Sequence, residues 1–360
     1  MAAPSSLLLA ILLWVPAETL TCIGDSGKPV DWFVIYKLPK KCDDGSAVPD
    51  RSVLPNGLSY KYLDAKSKDW QDGVGTIREP KGALALTLAP LYQNNKSQIA
   101  FLLYNDQPPP LTGKTNGQSG HSKGVVLLDL DEGFWLVHSV PKFPPHTSNP
   151  AFSWPSNAQC YGQTLFCVTF PSSQFHDIGK QLSYIYPLVY DKDLKIIEDN
   201  LPELVAVAKG QRVQREPWKR SVNLISKAGA TFQSFAKASN FKDDLYSGWV
   251  AEALGSDLQV QFWRRKTMPP SCSGQYHVSD VINIEFPGGP SYRSTKDHSK
   301  WAVASTSTKT WVCVSDLNRS YGGYLRGGGA LCTQIRNLFN SFKSLVKMVQ
   351  PCPHPVHPSS

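Results

Sequence analysis

HSKGVVLLDLDEGFWLVHSV at residues 121–140 and HSKWAVASTSTKTWVCVSDLN at residues 298–318 are two versions of one stretch. Each opens on His-Ser-Lys, with an offset of 177 from His121 to His298. Downstream, Trp135 matches Trp311 and Ser139 matches Ser315, both at an offset of 176. Landmarks that keep one spacing point to an internal duplication. A lone His-x-Lys on an exposed edge is ordinarily a solvated pair. Repetition within a matching frame gives it a different meaning. Two half-sites with one His and one Lys each supply what a two-histidine phosphodiesterase needs. One imidazole attacks phosphorus, the other protonates the leaving oxygen, and two ammonium groups hold the phosphate oxygens.

Around the first copy, periodicity predicts strands. Val125–Leu128 is apolar, Asp131-Glu132-Gly133 is a turn, and Phe134–His138 returns as the second arm of a hairpin. His121 and His138 then lie at neighbouring strand ends. Upstream, IAFLLY at 99–104 reads as a buried strand, and the Pro- and Gly-rich 107–120 as a surface loop delivering the chain to His121. VDWFVIYKL at 30–38 is a strand of β-branched and aromatic residues. In the second half, 244–254 reads as a helix and 258–263 as a strand. Ile335, Leu338, Phe339, Phe342, Leu345, Val346 and Val349 follow helical spacing, which predicts an amphipathic core-packing helix. Residues 186–220 are charged and weakly patterned, so the boundary between halves falls there. The expected organisation is a signal peptide at 1–19 and α/β halves at 20–200 and 201–360, packed as a pseudo-dimer.

Bulk composition agrees with an exported globular protein. The chain has 360 residues, 41% hydrophobic and 18% charged, so it can build a real core. Leu7–Val15 is the short apolar core of a secretory signal, too short to span a membrane. Eight cysteines in an exported chain imply disulfides. None stand as C-x-x-C, which argues against zinc. Asn95-Lys-Ser and Asn318-Arg-Ser are glycosylation sequons. Lys and Arg exceed Asp and Glu by 37 to 29, a formal charge of +8 that suits a polyanionic partner.

The paired motifs resemble the phospholipase D superfamily pattern H-x-K-x4-D-x6-G-S-x-N, which puts Asp at +7 and Asn at +17 from its His. At +17 of the first copy stands His138; at +7 stands Leu128, with Asp129 one residue later. In the second copy Ser305 stands at +7, and the nearest Asn is Asn318 at +20. Asp316 is the alternative to Asn318, since a glycan at Asn318 would keep that residue out of a closed site.

Longer matches make the resemblance specific. VDWFVIYKLP at 30–39, FLLYNDQPP at 101–109, GHSKGVVLLD at 120–129, GFWLVHSVPKFPP at 133–145, DDLYSGW at 243–249, QVQFW at 259–263, DHSKW at 297–301 and RGGG at 326–329 resemble the deoxyribonuclease II family over nearly the whole mature chain. The resemblance implies a phospholipase-D-like fold with one shared site. It implies a lysosomal or secreted acid endonuclease that cleaves double-stranded DNA to 3′-phosphate and 5′-hydroxyl ends, serves in the degradation of engulfed or autophagic DNA, and uses neither cofactor nor metal. Catalytic residues carried over are His121, Lys123, His138, His298, Lys300 and Asn318, with His121 as nucleophile and His298 as acid. The implied disulfides are Cys22–Cys160, Cys272–Cys352 and Cys313–Cys332, which leaves Cys42 and Cys167 as free thiols or a fourth pair. The rival readings are a phospholipase-D-type enzyme acting on another phosphodiester and a non-catalytic DNA-binding protein.

Overall fold

The computed structural model describes residues 20–40, 56–110, 117–264 and 268–352. The expected signal peptide, Cys42 and much of the loop before Gln118 lie outside them.

The architecture is mixed α/β and dominated by two sheets. A short ribbon pairs β1 (Cys22–Ile23) with β2 (Pro29–Val30). The first large sheet draws on β3 (Trp32–Lys37), β4 (Tyr60–Asp64), β5 (Gln71–Asp72), β6 (Ala100–Asn105), β7 (Lys123–Leu128), β8 (Glu132–His138), β9 (Gln163–Pro171) and β10 (Val189–Asp193). Their order is β10-β6-β7-β8-β9-β3-β4-β5. The second sheet draws on β11 (Lys219–Ile225), β12 (Thr231–Lys237), β13 (Leu258–Gln261), β14 (Val278–Glu285), β15 (Ser291–Arg293), β16 (Trp301–Ala304), β17 (Val312–Ser315), β18 (Gly328–Thr333) and β19 (Val346–Val349). Its order is β11-β12-β18-β17-β16-β13-β14-β15, with β19 beside β14. Helices α1 (Ala83–Leu88), α2 (Phe175–Ile185), α3 (Pro202–Ala208), α4 (Ala251–Leu254), α5 (Tyr321–Tyr324) and α6 (Arg336–Lys343) are short. None among the described residues is long and apolar enough to cross a membrane.

Strand alternation explains the packing. On β3, Trp32, Val34 and Tyr36 enter one core, which both sheets share with α2, α3 and α6. Phe33 and Ile35 point the other way, into a core closed by α1 and by loops. The outer face of the second sheet packs Leu258, Val260, Ala302 and Cys332 beneath the Tyr246–Leu254 segment. Both faces of the central strands are therefore covered, which is why they read as near-continuous apolar runs. Burial of that area supplies the main driving force for folding.

Hydrogen-bond register corrects the repeat. Val126 faces Trp135 in the first hairpin, and Val303, which stands at the same distance from its His, faces Val312. Thus Trp135 corresponds to Val312 rather than Trp311, and the 177 offset holds throughout the hairpin. His138 corresponds to Ser315, and Ser139 to Asp316.

Three further expectations change. The turn of the first hairpin is at 129–131, because β8 already begins at Glu132. The terminal amphipathic pattern is helical only to Lys343; Val346–Val349 is a strand, because its β-branched residues pair with Val281–Ile284 of β14. The 244–254 helix contains a π-type turn at Tyr246–Val250 before α4.

Cys22 is bonded to Cys167, not Cys160. β1 lies against β9, with the Cys22 N–H donating to Thr169 Oγ1 at 3.1 Å, so Cys167 is the cysteine within reach. Cys160 stands beyond the other end of β9 and is itself disulfide-bonded. Neither Cys160 nor Cys167 is a free thiol. Cys272–Cys352 and Cys313–Cys332 are formed as expected.

Candidate active site

Both His-Ser-Lys segments run into the N-terminal ends of interior strands, β7 and β16. Alternation then sorts their side chains. In 297–301, Asp297, Ser299 and Trp301 turn toward Tyr36 of the first half: the Tyr36 hydroxyl lies 2.8 Å from both Asp297 Oδ2 and Ser299 Oγ, and accepts from Trp301 Nε1 at 3.1 Å. His298 and Lys300 are left on the opposite side. Lys123 and Lys300 are 2% and 1% exposed, and His298 6%.

The histidines are held reciprocally. His121 Nδ1 lies 3.1 Å from the backbone oxygen of Asp316, and His298 Nδ1 lies 2.9 Å from that of Ser139. Asp316 and Ser139 occupy the same position of the repeat, 18 residues after the His of their own half. Each histidine is therefore oriented by the hairpin that follows the other one. A carbonyl oxygen only accepts, so each Nδ1 carries hydrogen and each neutral Nε2 keeps a free lone pair. Lys300 Nζ stands 3.3 Å from His298 Nδ1 but donates to the His298 carbonyl at 2.8 Å. The backbone is crossed in the same way: the His121 N–H donates to Gly327 O and the His298 N–H to Gly162 O, each at 2.8 Å. A β-carbon on Gly120 or Gly327 would come within 2.0 or 2.2 Å of the Ile185 carbonyl at the end of α2, so glycine alone permits this approach.

Burial, followed by the neighbouring lysines, pushes His298 well below the ordinary imidazole range; His121 also contributes. Burial takes His121 down to about 3, with Asp106 opposing and Lys123, Lys300 and Arg326 adding. The resting site thus holds neutral imidazoles. Burial also brings Lys300 down to about 7, helped by Lys123.

His138 lies at the end of β8, 1% exposed. Its Nδ1 accepts from the Val140 N–H at 3.2 Å, while Nε2 is buried with no hydrogen-bond partner among the described residues. Burial and then Lys123 and Lys300 lower its pKa, which puts it against the same cluster. Asn318 is placed differently. Its Oδ1 accepts from the Trp263 N–H at 3.2 Å, a contact to backbone rather than to the His-Lys pairs. Asp316 is the residue brought into the cluster. Its Oδ1 is buried without a partner among the described residues, and burial pushes its carboxyl up to about 8 against the pull of Lys123 and Lys300.

Two members were not singled out from the sequence as site residues. Asp106 pairs with Lys123, and Arg326 Nη1 stands 3.1 Å from the other Asp106 oxygen. Burial would raise the Asp106 carboxyl, but Lys123, His121 and Arg326 hold it well below the usual range. Arg326 also donates from Nη2 to Ser119 O and Gly120 O, each at 3.0 Å, tying down the approach to His121. Both residues lie inside the quoted FLLYNDQPP and RGGG stretches. Beside Gly120 and Gly327 is a cavity of about 80 Å3 lined by Gln118, Tyr184, Tyr186, Arg212, Trp218 and Asn240 among others. There the Arg212 guanidinium stacks 4.5 Å over the Tyr186 ring.

A fold with two crossed His-Lys half-sites at one locus has the features of a phosphodiester-cleaving protein. Comparison with known proteins gives the family: residues 21–352 match the model of Deoxyribonuclease II, and the chain belongs to that family. It is 58% identical to Deoxyribonuclease-2-alpha of Rattus norvegicus, over 98% of this chain and 100% of the relative. It is 56% identical to Deoxyribonuclease-2-alpha of Bos taurus, over 98% and 95%. Plancitoxin-1 of Acanthaster planci is 40% identical over 93% of each.

Proposed function

We propose that the chain is an acid endodeoxyribonuclease of the lysosome, reached through the secretory pathway, whose two phospholipase-D-like halves, 20–200 and 201–360, share one active site. The observation that carries this is the reciprocal seating of His121 and His298 on Asp316 O and Ser139 O. Neither half can orient its own histidine, so the catalytic unit is the pair.

Lys123 and Lys300 receive the non-bridging oxygens of the scissile phosphate and stabilise charge as it develops. The His121 Nε2 lone pair attacks phosphorus. The P–O5′ bond breaks, and the 5′-oxygen takes a proton from the Nε2–H of protonated His298. The intermediate is a phosphohistidine still bonded through the 3′-oxygen to the strand on the 5′ side of the break. Water then attacks phosphorus, giving its proton to His298, and the P–N bond breaks to release a 3′-phosphate and regenerate His121. His138 walls the site and lends polarity next to both lysines. Asn318 acts at a distance by fixing the Trp263 backbone; the Trp263 ring packs 4.8 Å from His298. Arg212, Tyr186 and Trp218 beside His121 offer cationic and aromatic surface of the kind that holds nucleic-acid strands. The net charge of +8 supports the same partner.

Disulfides support passage through an oxidising compartment. Exposed Asn95 is the better glycan acceptor, since half-buried Asn318 is occupied with Trp263. The test is cleavage of supercoiled plasmid at acid pH in EDTA, with end-labelling to read 3′-phosphate termini. Hydrolysis of phospholipid vesicles instead, or binding of plasmid without nicking, would overturn this reading.

A further inference from the structure

The repeat register aligns one more pair of residues. Lys37 of β3 faces Gln163 at the start of β9, and Lys237 of β12 faces Gly328 at the start of β18. Gly162 and Gly327, which accept from the His298 and His121 N–H groups, immediately precede those two partners. Lys37 and Lys237 are thus equivalent positions of the two halves.

Both lysines are fully buried, at 0% exposure. Neither belongs to the His-Lys cluster. Lys37 Nζ donates to the backbone oxygens of Gln159, at 2.9 Å, and Tyr161. Lys237 Nζ donates to those of Gly323, Tyr324 and Arg326, at 2.9, 3.1 and 2.8 Å. A buried ammonium is costly unless its donors are used, and here they are spent on backbone carbonyls of the segments that lead into Gly162 and Gly327. The same arrangement in both halves, with unrelated loop sequences (QCYG at 159–162, GYLRG at 323–327), selects the lysine rather than the loop.

Each stapled loop ends in the glycine that grips the histidine of the opposite half. Gly162 grips twice: its N–H donates to Lys296 O at 2.9 Å and its carbonyl accepts from His298 N at 2.8 Å. A β-carbon on Gly162 would come within 2.4 Å of Asp297 Oδ2, so the approach is close. On the other side Arg326, the residue before Gly327, has its carbonyl held by Lys237 and its guanidinium on Ser119 O and Gly120 O. We infer that Lys37 and Lys237 are crossed positioning residues: Lys37 sets the backbone of His298, and Lys237 sets that of His121.

Burial pushes the Lys37 ammonium down to about 7, with Asp297 opposing, and Lys237 to about 8, with Asp244 and Asp243 opposing. In acid both are charged, Lys37 donating to two of these carbonyls and Lys237 to three. A misplacement of about 1 Å in a reacting group can cost on the order of 100-fold in rate. The inference concerns the catalytic roles proposed above, so its test includes a readout independent of cleavage. Full-length Lys37→Met and Lys237→Met proteins, labelled with 15N in histidine, are compared by NMR and by kcat on DNA; His121→Ala and His298→Ala assign the resonances. The expected result is that Lys37→Met moves the His298 ring signals and leaves those of His121, that Lys237→Met does the reverse, and that each lowers kcat ~10–100-fold with KM nearly unchanged. Should either Met variant fail to be secreted, Lys→Gln, which keeps two N–H donors, carries the same readouts with a smaller loss. Signals of both histidines moving together in each variant, or neither moving, would overturn the inference, as would an unchanged kcat. A failed nuclease assay of the parent protein would instead overturn the proposed function and leave the NMR pattern to stand by itself.

Discussion

His298 points its Nδ1 at the backbone oxygen of Ser139, 2.9 Å away and 159 residues earlier in the chain. With the matching contact from His121 to Asp316, this sets both ring tautomers without a carboxylate partner. In many catalytic pairs an acidic side chain holds the histidine and raises its basicity. A neutral carbonyl orients the ring with less stabilisation of its charged form, and the adjacent lysines oppose that form further. In the mechanism proposed above, this makes cleavage depend on acid supplied from outside.

The first prediction follows for kcat against pH. In the free protein His121 is neutral above about 3, and His298 is also held well below its usual value. A bound phosphodiester offsets Lys123 and Lys300 and so raises the imidazole pKa values toward the acid range. The proposed mechanism needs His298 protonated and His121 neutral. Activity therefore falls as pH rises past the bound acid's pKa, and falls again in strong acid when the nucleophile is protonated. Asp316 loses its proton as pH approaches about 8 and puts a negative charge beside the lysines, in the same direction. Measured with saturating DNA at fixed ionic strength, the profile should be bell-shaped and centred below neutrality. A flat profile through pH 8 would remove the histidine acid from the mechanism.

Asp316 also makes a stability prediction. Its folded pKa, raised to about 8, exceeds the unfolded value of roughly 3.9. The folded state therefore binds the extra proton between those limits. That contribution is fully present below about pH 4 and is lost as pH rises toward 8, by at most about 1.4 kcal/mol per pH unit. His121, with its lowered pKa, acts oppositely between about 3 and 6.5. Subtracting wild type from Asp316→Asn isolates the aspartate. Urea unfolding should show the variant gaining on wild type from pH 4.5 to 7.5; a difference that does not change with pH contradicts the protonated carboxyl.

Chelation makes the third. In the proposed mechanism Lys123 and Lys300 meet the charge on the phosphate; Arg326 and Lys123 both pair with Asp106. Plasmid cleavage should keep its rate after dialysis against excess EDTA. Strict dependence on added magnesium or calcium would count against the two-lysine account.

The covalent frame gives the fourth. Cys22–Cys167 ties the start of the described chain to β9, the strand between β8 and β3. Loss of a native bridge typically costs ~2–5 kcal/mol. Cys22→Ser and Cys167→Ser should reduce secretion equally, and peptide mapping of the wild-type protein should recover the 22–167 link. A 22–160 link would contradict the structure.

Much of this was legible in sequence, for identifiable reasons. Strands β3, β6, β7 and β8 are apolar on both faces, so their runs stand out. The repeated His-Ser-Lys marked the candidate site because the two copies head hairpins of matching register. The one-residue slip in the repeat arose because two chemically similar landmarks, Trp311 and Ser315, sit one place from the true register. Asp316 was visible only as an alternative to Asn318, since its importance lies in its backbone oxygen and in its burial, neither of which a residue type records. Asp106 and Arg326 join the site through contacts across 220 positions of sequence, which no local pattern displays. The terminal segment kept helical spacing past Lys343 because Leu345, Val346 and Val349 are apolar for a different reason: the turn and the edge pairing with β14.

The measurement that tests the shared site most directly is kcat on plasmid DNA at acid pH for His121→Ala, His298→Ala and the double variant, each shown to be folded. Groups that act as one unit lose their function together. The account predicts that either single substitution lowers kcat by several orders of magnitude and that the double variant is scarcely worse. Substantial activity in a folded His298→Ala protein, or losses that multiply in the double variant, would contradict it.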